Sequence, residues 1–219
     1  RQEVFGAIFY FSAKAFDGLH KEPYIFNATA GHRLQGYFYF YDNPIENRII
    51  VFDHGMGAGH RAYLHEIEML ARHGYLVFAY DHTGCVESEG DSTHGFAQSL
   101  SDLDACLRAL KADEAYKGFD ISVVGHSWGA FACQNIAAIH ADVSHIVAIS
   151  GFVSVEAMIE QNFDGALKPF RKTILALEQS TNPDYVSYHA VNSLQNTDAK
   201  VLILHAADDP LVKRKFHFD

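Results

Sequence analysis

Short apolar runs alternate with longer stretches of helical periodicity along most of the chain. The runs are nearly continuous and rich in β-branched residues, and they cover residues 49–53, 75–81, 121–125, 145–150 and 201–205. Runs of this kind are typical of strands that are buried on both faces of a parallel sheet. We therefore predict an α/β protein with a mostly parallel sheet and right-handed crossovers.

The stretches between these runs carry apolar side chains at helical spacing. One stripe follows Leu100, Leu103, Leu107 and Leu110, which fall on one face of a helix. Residues 128–140 are rich in small side chains and also predict a helix. Because strands and helices alternate, we expect helices on both faces of the sheet.

The beginning of the chain has a different pattern. Residues 25–29 and 34–41 flank the turn residues Gly31 and His32. Two extended segments joined by a short glycine-containing turn predict an antiparallel hairpin. We expect this hairpin to join the edge of the sheet.

The rhythm breaks a second time late in the sequence. Residues 152–197 mix helical patterns with Pro169 and Pro183 between two predicted strands. This segment is too long for an ordinary crossover. We predict a short helical cap at 152–197, inserted within a single domain that spans residues 1–219.

Composition narrows the possible partners. The formal charge is −10, from 17 basic and 27 acidic residues. Such a charge disfavours nucleic acid and anionic membranes as partners. The three cysteines are too few and too widely spaced for a zinc site or a redox pair. The sequence contains no run of about 18 apolar residues, so no membrane span is predicted in it.

The first residue bears on localisation. The sequence begins with Arg1 instead of Met, so we expect an upstream segment. That segment could be a signal peptide or an anchor. The compartment stays open, with the cytoplasm slightly favoured. The oligomeric state is not indicated by the sequence.

One pentapeptide carries the strongest chemical signal. Residues 125–129 read Gly-His-Ser-Trp-Gly, which matches the G-x-S-x-G pattern, directly after a predicted strand and directly before a predicted helix. This context is that of a nucleophile elbow, in which a strained turn lifts the serine hydroxyl clear of the sheet. We predict that Ser127 is a nucleophile.

With this motif the chain resembles the α/β-hydrolase superfamily, in its serine esterase, lipase and acylglycerol-lipase-like branch, from about residue 25 onward. The resemblance implies an oxyanion hole formed by the backbone N–H groups of Met56, in the loop His54-Gly55-Met56-Gly57, and Trp128. A rival interpretation, a dinucleotide-binding loop, requires glycine at position 60, which is His60. His54, Asp81 and Ser88 are expected to organise loops.

The resemblance also implies a catalytic acid and a histidine base. The family pattern after the last predicted strand aligns Asp209 with the acid, with Asp208 as the alternative. No histidine of the chain fits the base, since His126 belongs to the elbow and His217 follows the acid too closely. We therefore expect the base, with a last strand and helix, to lie beyond Asp219.

These residues predict a serine hydrolase that acts on a small-molecule carboxylic ester or thioester through an acyl-enzyme. A serine peptidase or acyltransferase on the same fold, or a non-catalytic binding protein, are the alternatives. No cofactor and no metal are expected: His65 and Glu66 begin a zinc-protease pattern, but position 69 is Met69. The acyl and alcohol groups of the substrate stay open.

Overall fold

Seven strands form one sheet in the computed structural model, which describes residues 10–195 and 197–217. In chain order they are β1 His20–Asn27, β2 Arg33–Phe40, β3 Arg48–Asp53, β4 Leu76–Tyr80, β5 Asp120–His126, β6 His145–Ile149 and β7 Lys200–Leu204. Across the sheet the order is β1-β2-β4-β3-β5-β6-β7. The pairs that involve β1 or β2 are antiparallel and all others are parallel, which confirms the predicted sheet and its N-terminal hairpin.

Helices cover both faces of this sheet. They are α1 Leu64–Arg72, α2 Gln98–Ala112, α3 Trp128–Ile136, α4 Val155–Asn162, α5 Arg171–Thr181 and α6 Ala190–Leu194. Alternate residues of β4 face the helices on opposite sides of the sheet. Phe78 packs with α2 and α3, whereas Val77 packs with α1. Of the helices in the described residues, none has the length and apolarity to cross a bilayer.

Two predicted elements differ in detail. Helix α3 ends at Ile136 instead of residue 140, because the chain continues in turns in which Ala138 and Ile139 donate to carbonyls three residues back. Strand β7 was expected to be buried on both faces, but Leu202 is 51% exposed. Among the described strands β7 is the last of the sheet, so β6 alone flanks it.

The chain between β6 and β7 is helical. It contains α4, a 3₁₀ helix at Gly165–Phe170, α5 and α6. The predicted helical cap segment is therefore present. Its boundaries of 152–197, and the assignment of residues 1–219 to a single domain, stay predictions.

Asp104 on α2 joins this helical segment to the main body. Its side chain is 1% exposed, and its carboxylate accepts from the Tyr185 hydroxyl at 2.6 Å, from His140 Nε2 at 2.7 Å and from Arg108 Nε at 2.9 Å. Burial raises the pKa of Asp104, but the hydrogen bonds from His140, Tyr185 and Arg108 outweigh it and lower the pKa to about 2. The ionised side chain of Asp104 therefore stabilises the folded state.

We predict that Asp104→Asn destabilises the protein in a pH-dependent way. A carboxylate whose folded pKa is depressed stabilises the fold above its unfolded pKa, about 4, and this contribution is lost as the pH falls towards the folded pKa of about 2. At pH 7 the variant should lose about 2 kcal/mol of unfolding free energy, and the difference should shrink below pH 4. Urea unfolding at pH 7 and pH 3 measures this difference in stability. Asp184→Asn is the control, because Asp184 is exposed. A difference independent of pH would contradict the prediction.

Candidate active site

Ser127 occupies the turn between β5 and α3, as the motif predicts. Its backbone has φ 54° and ψ −108°, which is a sparsely populated conformation for a residue with a side chain. The Ser127 N–H donates to the carbonyl of Ile149 at 2.8 Å, which ties the turn to the end of β6. The strain is therefore held in place by the sheet on one side and the helix on the other.

The two glycines of the motif have a steric role. A Cβ at Gly125 would overlap the carbonyl group of Gly129, and a Cβ at Gly129 would overlap the carbonyl group of Asp53 at the end of β3. The strand, the helix and the neighbouring strand are thus too close for any other residue type. This explains why a serine with such a backbone is flanked by glycine on both sides.

The loop after β3 carries Met56, the first predicted oxyanion donor. The Gly55 N–H donates to the hydroxyl of Tyr63 at 3.2 Å, and this hydroxyl lies 2.8 Å from Nδ1 of His126. Burial lowers the pKa of His126, which favours the neutral form of its ring. The loop beside the elbow is fixed by this pair, and the Met56 N–H donates no hydrogen bond within the described residues.

Tyr63 is not among the site residues predicted from the sequence. Its position fits the apolar stripe of a helix, and periodicity cannot distinguish a packed tyrosine from one whose hydroxyl orders a loop. Its place one helical turn after the glycine-rich loop is the only signal that could have indicated the contact.

Trp128, the second predicted donor, is held rigidly. It is 1% exposed, and its indole N–H donates to the carbonyl of Phe96 at 2.7 Å. Ser99 Oγ donates to the carbonyl of Trp128 at 3.1 Å. As the first residue of α3, Trp128 has a backbone N–H without an intrahelical partner. That N–H is available to a developing negative charge.

Asp209 lies in the loop after β7. Its Oδ1 accepts from the N–H groups of Leu211 at 2.8 Å and Val212 at 3.0 Å, and its Oδ2 lies 3.4 Å from His205 Nε2. Burial raises the pKa of Asp209, but the N–H groups of Val212 and Leu211 outweigh it and lower the pKa. Asp208 is exposed. The carboxylate at 209 is therefore the anchored one, while its role as the acid stays a prediction.

The described residues do not supply a histidine to Ser127. His126 contacts Tyr63, and the His217 ring stacks on His205 with centroids 4.0 Å apart. Within residues 10–195 and 197–217 the Ser127 hydroxyl has no hydrogen bond to a histidine ring. The expectation that the base lies after Asp219 stays a prediction.

Beneath the elbow lies a buried ionic group that the sequence analysis missed. His82 Nε2 is 2.5 Å from Asp53 Oδ1, and its Nδ1 is 3.3 Å from Asp102 Oδ2. Burial opposes the charge on His82, but Asp53 and Asp102 outweigh it and raise the pKa of His82 to about 10. The imidazolium ring packs 4.7 Å from the ring of Trp128. It therefore joins the end of β3, the loop after β4 and α2 under the nucleophile turn.

The residues expected to organise loops do so. Asp81 accepts from the backbone N–H of His60 at 2.8 Å, and the Ser88 hydroxyl donates to the carbonyl of Asp81 at 2.5 Å. His54 accepts from the N–H of His82 at 3.0 Å, and burial lowers the pKa of His54 to about 3, so its ring is neutral. These structural assignments are confirmed.

The sequence profile of the family described as serine aminopeptidase, S33, matches residues 45–217. No match was found among curated proteins.

Several solved structures share the fold. The esterase Pf2001 of Pyrococcus furiosus is 20% identical with a TM-score of 0.72, over 96% of this chain and 79% of that one. A putative α/β-hydrolase of Agrobacterium tumefaciens, ATU1826, is 17% identical with a TM-score of 0.59, over 89% and 75% of the two chains. The α/β-hydrolase GrgF of Penicillium sp. sh18 is 14% identical with a TM-score of 0.56, over 85% and 90%. The predicted α/β-hydrolase fold is confirmed.

The close contact at Gly129 reverses the usual effect of replacing a helical glycine by alanine. Alanine in place of helical glycine normally stabilises a protein by up to about 1 kcal/mol. Gly129→Ala should instead lower the free energy of unfolding by about 2 kcal/mol or more, because its Cβ would overlap the Asp53 backbone.

Chemical denaturation measures the effect of Gly129→Ala. Gly57→Ala is the matched control, since Gly57 has φ +74° and no atom lies within 4 Å of the position that a Cβ would occupy. It should cost only the backbone strain of about 1 kcal/mol. A stabilised Gly129→Ala would contradict the steric account of the motif.

Proposed function

The chain belongs to the α/β-hydrolase family described as serine aminopeptidase, S33, and from this premise we propose that it is a serine hydrolase of carboxylic esters or thioesters. The observation that carries the proposal is the strained backbone of Ser127, at φ 54° between β5 and α3. Backbone strain of this kind persists where the surrounding structure enforces it, typically at functional sites.

The proposed reaction has two halves. Ser127 Oγ attacks the carbonyl carbon while a histidine base, not assigned among the described residues, takes its proton. The N–H groups of Met56 and Trp128 stabilise the oxyanion, and the bond to the leaving alcohol or thiol breaks as the base returns the proton. Water then attacks the acyl-enzyme in the same way and frees the acid. Asp209 is proposed to orient the base and to stabilise its charged form.

The comparisons support an ester substrate in one case and a peptide in the other. The solved structure from Pyrococcus furiosus is named an esterase, whereas the family is described by an aminopeptidase. An aminopeptidase is therefore the second candidate. An aminopeptidase must bind the charged α-amino group of its peptide substrate, whereas an esterase has no such requirement. The two candidates therefore differ in whether the substrate needs a free amino group.

We predict Ser127-dependent esterase activity. The full-length protein should hydrolyse short p-nitrophenyl esters faster than aminoacyl p-nitroanilides, and EDTA should leave the rate unchanged because the proposed chemistry uses no metal. A fluorophosphonate probe should label the protein at Ser127, since only an activated serine reacts with it.

The control for this prediction is Ser127→Ala. This variant should lose both turnover and labelling while its unfolding transition stays within a few degrees of the parent. Labelling that persists in Ser127→Ala would remove Ser127 from the mechanism. Preference for aminoacyl p-nitroanilides would favour the aminopeptidase.

A second prediction separates the two neighbouring aspartates. Asp209→Asn should lower kcat by about 10⁴, as loss of a triad acid does elsewhere. Asp208→Asn should have little effect, because Asp208 is exposed while Asp209 is anchored by Leu211 and Val212. Steady-state kinetics of the two variants measure this, and the reverse ranking would move the assignment to Asp208.

A further inference from the structure

The helical segment between β6 and β7 contacts the body of the protein through a buried carboxylate. Glu178 on α5 is 7% exposed, and it accepts from the backbone N–H of Phe96 at 2.8 Å and of Ala97 at 3.3 Å. Ala97 is the N-cap residue of α2 and offers no side chain to the helix end. Glu178 therefore satisfies backbone donors at the start of α2 from a different element.

The surroundings of Glu178 are fitted to this contact. Gly95 has φ +97°, and a Cβ there would lie 2.5 Å from Glu178 Oε1, so the loop can approach the carboxylate only with glycine at this position. The Asn182 side chain, directly after the last residue of α5, donates to the carbonyl of His94 at 2.9 Å. Two side chains from one short stretch thus hold the loop that leads into α2.

Phe96 links this contact to the elbow. Its N–H donates to Glu178, and its carbonyl accepts the indole N–H of Trp128 at 2.7 Å. Its ring packs edge-on against Phe152, which stacks on Phe131 of α3 with centroids 4.7 Å apart. Glu178, Phe96 and Trp128 therefore form a continuous path from α5 to the residue that follows the nucleophile.

We propose that Glu178 is a positioning residue for the oxyanion hole, acting through Phe96 on Trp128. The inference rests on the proposed function, because it concerns the alignment of the Trp128 N–H with the developing charge. Misplacement by a fraction of an ångström weakens such a donor without removing substrate contacts, so its effect falls on kcat rather than on KM.

The burial of Glu178 agrees with a role that depends on its hydrogen bonds. Burial raises the pKa of Glu178, and the N–H groups of Phe96 and Ala97 only partly offset this. Burying a charged carboxylate costs free energy when it accepts no hydrogen bonds. The two N–H groups therefore fix the side chain in one position.

The test compares Glu178→Ala, which removes both acceptors, with Glu178→Gln, which keeps the shape and one acceptor oxygen. Glu178→Ala should lower kcat on a p-nitrophenyl ester about tenfold with KM changed less than about twofold, and Glu178→Gln should lie between it and the parent. Glu156→Gln is the matched control, because Glu156 is an exposed residue of the same helical segment. It should leave both constants unchanged.

A spectroscopic measurement reports on the path independently of activity. Trp128 is the sole tryptophan of the sequence, so a protein labelled with ¹⁵N-tryptophan gives one indole N–H resonance. That resonance should move in Glu178→Ala, because the bond to the Phe96 carbonyl changes, and stay in place in Glu156→Gln. If Glu178→Ala does not fold, Glu178→Gln carries both measurements.

The outcomes separate the two proposals. An indole resonance that does not move, or a rise in KM at constant kcat, overturns the role of Glu178 in positioning Trp128. A parent protein without Ser127-dependent turnover contradicts the proposed function instead, and the resonance then decides the coupling alone. A shifted resonance together with the loss of kcat supports the inference.

Discussion

The close approach of α3 to β3 and β5 is the constraint on which the rest of the site depends. Glycines at 125 and 129 leave the helix in backbone contact with the ends of β5 and β3, and the chain must then turn through Ser127 at φ 54°. A strained turn costs about 1–3 kcal/mol and persists only where its neighbours are fixed. The packing of α3 on the sheet is therefore what holds the half-buried Ser127 in its strained turn.

The buried ionic group below the elbow fixes those neighbours. His82, Asp53 and Asp102 connect β3, the loop after β4 and α2, and each of these elements also contacts the elbow or its loops. Buried ion pairs contribute little net stability, since their desolvation offsets their attraction, but removing one partner is strongly destabilising. The group therefore connects the ends of these elements without adding much to the net stability of the fold.

The sequence predicted the architecture well because its signals are local. Continuous apolar runs identify the strands. The glycines around Ser127 indicate a turn that is too tight for side chains at those positions. The contacts of His82, Tyr63 and Glu178 were not predictable in this way. Each depends on partners 29, 63 and 82 residues distant, and a single histidine, tyrosine or glutamate has no pattern that indicates a buried partner. The exposure of β7 was missed for a related reason, because strand position in a sheet is a tertiary property.

The two proposed oxyanion donors are supported from opposite sides of the elbow. Met56 belongs to a loop fixed by Tyr63 and His126, whereas Trp128 is fixed through Phe96 by a residue of the helical segment. A pair of donors stabilises an oxyanion only when both are directed at one point before the reaction begins. The two donors are also linked below the elbow, where the His82 N–H donates to His54 and the His82 ring packs on Trp128. A change in the helical segment reaches Trp128 directly through Phe96, whereas among these contacts it reaches the Met56 loop only by way of Trp128 and His82.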